Sequence, residues 1–161
     1  MAVAEQIHIA RAEESHIPLI LSFIRKLAEY ERLSSKVVAD EAQLRNSLFG
    51  PRPAAEVAIA HWGDEPAGFA VYFHNFSTFA GRAGIYLEDL FVEPRFRGKG
   101  IGRSLFVYLA KLAEERGCAR IDWAVLDWNE PAKRFYRSLG AEPMEDWTIY
   151  RLSGAELKNL C

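Results

Sequence analysis

Leu90-Phe91-Val92-Glu93-Pro94-Arg95-Phe96-Arg97-Gly98-Lys99-Gly100-Ile101-Gly102-Arg103 runs from an apolar strand end, through a glycine-rich bend, into a helix. The helix is read from Leu105, Phe106, Leu109, Leu112 and Ala113, which recur with a 3.6-residue period, and Gly117 supplies its stop. A glycine-rich bend between a strand and a helix leaves several backbone N–H groups unpaired and pointing outward, an arrangement suited to an anion. Gly98, Gly100 and Gly102 permit positive φ and close approach of the backbone, and the positive end of the helix dipole favours phosphate oxygens. Arg97, Lys99 and Arg103 add cations. The bend lacks the Gly-Lys-Ser/Thr ending of a Walker A loop and the G-x-G-x-x-G spacing of a dinucleotide fold, which argues against a nucleotide hydrolase or a dehydrogenase. Taken alone, it also reads as a glycine-rich helix entry carrying solvated charges.

Upstream, Ile7 to Ala10 reads as a first strand. Ser15 is the expected cap of a helix that carries Ile17, Ile20, Leu21, Ile24, Leu27 and Ala28 on one face, with Pro18 in its first turn. A second helix follows Asp40, with Leu44 and Leu48 on one stripe, and ends at Gly50-Pro51-Arg52-Pro53. Glu56 to Trp62 and Ala67 to Phe76 read as antiparallel strands joined by Gly63-Asp64-Glu65-Pro66. Ile85 to Val92 is a third such strand; strict alternation puts Leu87, Asp89 and Phe91 opposite to Tyr86, Glu88 and Leu90.

Downstream, Arg120 to Leu126 reads as a strand, a helix opens at Pro131 and closes at Gly140, and Thr148 to Leu152 looks like a last strand. The order predicts an α/β (α+β) chain with a mixed central sheet of about six or seven strands and about four helices. At 161 residues, one domain spanning 1–161 is expected.

A net charge of -2, with 50% hydrophobic and 26% charged residues, is ordinary globular composition and offers no basic field for a nucleic-acid backbone. Cys118 and Cys161 have no metal-site spacing and make a poor disulfide framework, and His8, His16, His61 and His74 are scattered, so no metal is expected. Met1 to Gln6 shows no basic segment followed by an apolar one, and nowhere do 18 apolar residues run together; a cytoplasmic protein without membrane contact is expected.

Arg97 to Gly102, following Leu90-Phe91-Val92-Glu93-Pro94, resembles the Arg/Gln-x-x-Gly-x-Gly/Ala pyrophosphate loop of GNAT acetyltransferases. Asn129-Glu130-Pro131-Ala132, Phe135-Tyr136 and Leu139-Gly140-Ala141 extend the likeness. Together with Leu27-Ala28-Glu29-Tyr30-Glu31, Tyr86-Leu87-Glu88-Asp89 and Leu126-Asp127-Trp128, these motifs are similar to the spermidine/spermine (diamine) acetyltransferase family over nearly the whole chain. The resemblance implies a GNAT fold, acetyl-CoA as co-substrate, and a homodimer. It implies cofactor contacts from Leu90, Phe91 and Val92, from Arg97, Gly98, Lys99, Gly100, Ile101, Gly102 and Arg103, and from Asn129, Pro131, Ala132 and Tyr136.

Catalysis carries over in the same way. Glu88 is the implied acceptor of a proton from the substrate ammonium, through water, and Tyr136 the implied acid for the departing thiolate. The chemistry is consistent: a primary ammonium with a pKa near 10.4 must lose a proton before it attacks a thioester, and a tyrosine hydroxyl can donate to sulfur. The developing oxyanion would be met by a backbone N–H of Phe91 or Val92. Apart from the family context, Glu88 also reads as a surface carboxylate and Tyr136 as a core aromatic. Asp89 stands evenly between a second substrate carboxylate and a structural group.

On the substrate side, Tyr30 and Glu31 match family positions that line the amine site. Glu145 or Asp146 falls near another acidic position, in a loop about two residues shorter than the family's. Polyamine-specific members carry an aspartate and a tryptophan where this chain has Thr78 and Ala80, and are more acidic around Leu33-Ser34-Ser35. Those departures, with Ala124 to Asn129, resemble the thialysine branch more closely. The expected reaction is acetylation of a primary amine on thialysine, a lysine-like amino acid or a polyamine. Spermidine/spermine acetylation proper, a protein or peptide acceptor, and an acetyl-CoA sensor without turnover stay open as alternatives.

Overall fold

The computed structural model describes residues 6–161, in two units: one runs to Leu126 and the other is Asp127–Cys161. In the first, strand β1 (Ile7–Arg11) leads through a 3-10 turn at Glu14–His16 into helix α1 (Ile17–Tyr30). Helix α2 is Glu41–Phe49, and strands β2 (Glu56–Trp62), β3 (Glu65–Ser77) and β4 (Arg82–Val92) follow. After a 3-10 turn at Pro94–Phe96 come helix α3 (Ile101–Glu115) and strand β5 (Ile121–Trp123). The sheet order is β1-β2-β3-β4-β5, antiparallel except for the parallel β4–β5 pair.

The apolar stripe of α1 explains its place. Ile20 and Phe23 are buried with Val57, Ile59, Phe69, Val71 and Phe91 on one sheet face, and the Phe23 ring lies 5.2 Å from Phe69 and 5.8 Å from Phe91. Helix α3 buries Leu105, Phe106, Leu109 and Ala113, with Phe106 4.9 Å from Trp123 of β5. At the end of α3, Arg116 donates two hydrogen bonds to Glu56 of β2, at 2.6 and 3.0 Å, and holds that carboxyl below its ordinary range.

Helix ends follow their caps. The N-cap of α2 is Asp40, whose side chain accepts from the Gln43 amide at 2.8 Å while the Gln43 side chain accepts from the Asp40 amide. Ser15 does not cap α1. It lies inside the 3-10 turn, where Glu13 and His16 form a reciprocal box, so the chain is already turning before α1 begins and no free N-cap remains for a serine. At the other end of α1, the Arg32 amide bonds the Glu29 carbonyl (3.1 Å) and the Leu33 amide the Ala28 carbonyl (2.7 Å), with Arg32 at φ 60. This is a Schellman closure in which an arginine takes the left-handed place usually given to glycine.

Three sheet expectations change. The hairpin needs only Gly63-Asp64, because Trp62 already pairs with Glu65 and Gly63 takes φ 59. Strand β5 is three residues long rather than seven, since its ladder to β4 stops at Leu87–Trp123. Strict alternation in β4 also fails: Val71 pairs with Asp89 but Tyr72 pairs with Leu87, which leaves Glu88 without a partner on β3. Val71 and Tyr72 are consecutive and face opposite ways, so Leu87 and Asp89 do too.

In the second unit, Asn129 caps helix α4 (Glu130–Ser138), its Oδ1 accepting from the Ala132 amide at 3.3 Å, with Pro131 in the first turn. Gly140 at φ 87 closes the helix. A short helix α5 spans Gly154–Lys158. Thr148 to Leu152 forms no strand: it finds no ladder partner, and Ile149, Tyr150 and Leu152 are exposed. The mixed sheet therefore has five strands among the described residues, rather than six or seven.

Candidate functional site

The bend after β4 is shaped by two left-handed glycines, Gly98 at φ 76 and Gly100 at φ 87. Among the described residues, a Cβ at Gly98 would meet nothing within 4 Å and one at Gly100 only Ile7 Cδ1 at 4.0 Å, so packing against them does not demand glycine at either position. Gly102 is the second residue of α3 and does not take positive φ. Among the described residues, no main-chain hydrogen bond is donated by the amides of Gly98, Lys99, Gly100, Ile101, Gly102 or Arg103. The first acceptor in the turn is the Gly100 carbonyl, which takes the Ser104 amide at 3.0 Å. Six consecutive amides at a helix N-terminus form a cradle for an oxyanion.

The side chains of the loop are distributed unevenly. Arg97 Nε donates to the Val92 carbonyl at 2.9 Å, and its guanidinium carbon lies 5.1 Å from the Tyr30 ring and 5.7 Å from that of Phe91. Lys99 Nζ sits 4.9 Å from the Trp62 ring, while Arg103 is exposed. Arg97 thus ties the loop to the end of β4 and to the last residue of α1, which brings the second half of the site within reach.

That second half is acidic. Glu31 caps the C-terminal end of α1, where a carboxylate opposes the helix dipole, and burial raises its pKa. Asp89 is half-buried and its carboxyl is pushed up to about 6, first by burial and then by the nearby Glu88 and Glu31 carboxylates. Glu88, on the bulge, is exposed. Tyr30, Glu31, Glu88, Asp89 and Arg97 are therefore brought together. Three carboxylates in one place favour a cationic ligand, and a bound ammonium would return Asp89 to its charged form.

Because the folded pKa of Asp89 lies above its ordinary 3.8, its stabilising contribution is complete below about pH 4 and is lost as the pH rises through about 6. An Asp89→Asn protein is expected to be more stable at pH 7, by up to about 3 kcal/mol, and to lack the decline between pH 4 and 6 when urea unfolding is followed across that range. A variant no more stable than its parent at pH 7 would refute the strained carboxyl.

Beyond Leu87 the β4–β5 ladder ends, so Leu90, Phe91 and Val92 lie past the last parallel pair. In the second unit, Tyr136 sits in the last turn of α4, half-buried, its ring 5.6 Å from that of Phe135. Pro131 and Ala132 lie in the first turn of the same helix, with Asn129 buried at its cap. Glu145 and Asp146 are exposed in a turn. Among the described residues, no group of three or more His, Cys, Asp or Glu is arranged to hold a metal. Sequence reasoning missed the bulge at Glu88 and the Arg97–Tyr30 brace; neither leaves a signal in a single strand or loop read alone.

Residues 23–141 match the model of the acetyltransferase (GNAT) family. The chain is 37% identical to the thialysine N-epsilon-acetyltransferase of Bos taurus, with 94% of this chain and 95% of that protein covered. It is 29% identical to an L-ornithine N5-acetyltransferase of Arabidopsis thaliana, over 93% of this chain and 86% of that one. Among solved structures it is similar to an integron cassette protein from the mobile metagenome of V. cholerae, with TM-score 0.80, 32% identity, and 96% and 97% of the two chains covered.

Proposed function

Because the chain belongs to the GNAT acetyltransferase family, we propose that it transfers the acetyl group of acetyl-CoA to the side-chain primary amine of a small diamino acid of the thialysine or lysine kind. The observation that carries this reading is the run of six loop amides with no main-chain acceptor, braced through Arg97 and Tyr30 to the carboxylates of Glu31, Glu88 and Asp89. The diphosphate of acetyl-CoA suits the amides of Gly98 to Arg103, where Gly98, Gly100 and Gly102 carry no side chain to keep it from the backbone. The amide-bearing arm of the same molecule suits the edge of β4 at Leu90, Phe91 and Val92, where the β5 ladder has ended.

In this mechanism the carboxylates bind the ammonium, and Glu88, the most exposed of them, passes its proton outward through water. The neutral nitrogen attacks the thioester carbonyl, a backbone N–H of Phe91 or Val92 meets the oxyanion, and the C–S bond breaks as Tyr136 protonates the sulfur. Asn129, Pro131 and Ala132 present the start of α4 to the cofactor. The two units act as one catalytic domain over 1–161, a reading supported by the family match that runs across Leu126. Glu145 contributes a further carboxylate on the substrate side. The enzyme works as a cytoplasmic homodimer; no described helix is long and apolar enough to cross a membrane, and Cys118 and Cys161 are free.

A peptide acceptor is the second reading, favoured by a groove of about 490 Å³ that segment 33–40 leaves against α1, with Leu21, Arg25, Lys26, Ser34 and Val37 in its lining. None of Tyr30, Glu31, Glu88 or Asp89 lines that groove, which favours the small amine. Thr78 and Ala80, where polyamine-specific members differ, weigh against spermidine. Thiol release from acetyl-CoA with a panel of amines tests the proposal. Turnover with thialysine or lysine is expected; turnover with spermidine alone would overturn the substrate, and cofactor binding without turnover would make the protein a sensor.

A further inference from the structure

On the sheet face that α1 covers, the burial of β3 thins along the strand: Phe69 and Val71 are buried, whereas Phe73 and Asn75 are only half-buried. Phe73 pairs with Tyr86 of β4, their rings 5.1 Å apart, and Tyr86 pairs in turn with Asp122 of β5. Residues paired directly across a ladder share a face, so Phe73, Tyr86 and Asp122 lie on the same side as Asp89. The Tyr86 hydroxyl lies within the fields of both Glu88 and Asp122, which add to the effect of burial in raising its pKa. A strip of half-exposed aromatic surface therefore leads from the carboxylates of the amine site to β5.

The far end of this strip is polar and built. Arg120 Nε donates to Asp122 Oδ2 at 2.8 Å, Asn75 Nδ2 reaches the same oxygen at 3.5 Å, and Arg120 Nη1 lies 3.5 Å from Oγ of the buried Ser77. Asn75 crosses β4 over Gly84, where a Cβ would stand 2.5 Å from its Oδ1; only glycine leaves it that path. An ordinary surface ion pair needs no such support. Both charged side chains keep solvent access, 53% for Arg120 and 36% for Asp122, so each retains hydrogen-bonding capacity for a ligand.

We propose that Arg120 and Asp122 read the head group of a zwitterionic diamino acid, Asp122 taking its α-ammonium and Arg120 its α-carboxylate, while Phe73 and Tyr86 floor the methylene chain. The inference rests on the acetyltransferase reading of Glu88 and Asp89. Spacing agrees with it. Glu88 is two residues along β4 from Tyr86, roughly 7 Å, and β5 is about 4.8 Å to the side. The two legs combine to roughly 8.5 Å, and the five bonds from a lysine Cα to its side-chain nitrogen span roughly 6 Å when extended, which leaves the difference to the α-substituents and the hydrogen bonds at each end. Charge agrees as well: Asp122 is already neutralised by Arg120, so a polycation gains little there, whereas a zwitterion finds a complement to each of its charges.

The test compares kcat/KM for lysine, 6-aminohexanoate, 1,5-diaminopentane and pentylamine, which keep both, one, one and none of the two head charges. The wild-type enzyme is expected to prefer lysine over pentylamine by about 10- to 100-fold, chiefly through KM. In Asp122→Asn the ratio of lysine to 6-aminohexanoate should fall about tenfold or more, and in Arg120→Gln the ratio of lysine to 1,5-diaminopentane should do the same. Losses of equal size on all four amines, or ratios unmoved in both variants, overturn the proposal while leaving the acetyltransferase reading intact. No turnover by the wild type with any amine defeats that parent reading, and this one falls with it.

Discussion

A Tyr136→Phe enzyme is expected to turn over about 10²- to 10⁴-fold more slowly at neutral pH, with unchanged affinity for acetyl-CoA. The substitution keeps the ring, which lies tilted 5.6 Å from that of Phe135, and removes only the hydroxyl, while the Asn129 cap and Gly140 stop of α4 are untouched. What is lost is the proton for the sulfur. A thiol has a pKa near 8.5, so the leaving group tolerates departure as thiolate better as the medium becomes more alkaline. The deficit should accordingly shrink between pH 7 and pH 9. Thiol release across that range, with calorimetric titration of the cofactor, checks both halves. Unchanged turnover would remove Tyr136 from the reaction.

Gly100→Val should weaken acetyl-CoA binding by about 10²- to 10³-fold. The φ of 87 is costly for any residue with a Cβ, at about 1–2 kcal/mol, and a branched side chain there stands where the diphosphate would approach the loop amides. Losing even one or two charge-assisted hydrogen bonds, each worth about 1.5–3 kcal/mol, accounts for the rest. Among the described residues a Cβ at position 100 has only Ile7 Cδ1 near, at 4.0 Å, so the melting temperature should fall modestly while binding collapses. Gly100→Ala should lie between. Undiminished binding by the valine variant would show that the loop holds no anion.

Much of the frame could be read from the chain. Helices α1 and α3 announce themselves by apolar stripes that the structure buries, and the glycines at 63, 117 and 140 take the left-handed turns their positions imply. What escaped depends on partners. The bulge at Glu88 exists because Val71 and Tyr72 pair with Asp89 and Leu87, a relation between two strands that the alternation of one cannot contain. Thr148 to Leu152 has strand-forming residues, but a strand also needs a ladder to join. At the site, residue types alone pointed to an anion at Arg97 to Gly102. Glu88, Asp89, Tyr30 and Glu31 acquired meaning only through resemblance, and then through their shared electrostatics. Arg120 and Asp122 fell inside the expected strand Arg120 to Leu126 with no role assigned, and only pairing set them across β4 from Asn75 and Ser77.

The way α1 ends separates what must stay from what is free to vary. Its closure is made of main-chain bonds from Arg32 and Leu33, so the last turn holds its shape whatever side chains stand at 30 and 31. Under the proposed function those are two of the residues that face the incoming amine. Substitutions there can accumulate without unravelling the helix, and preference among acceptors can drift over generations on an unaltered backbone.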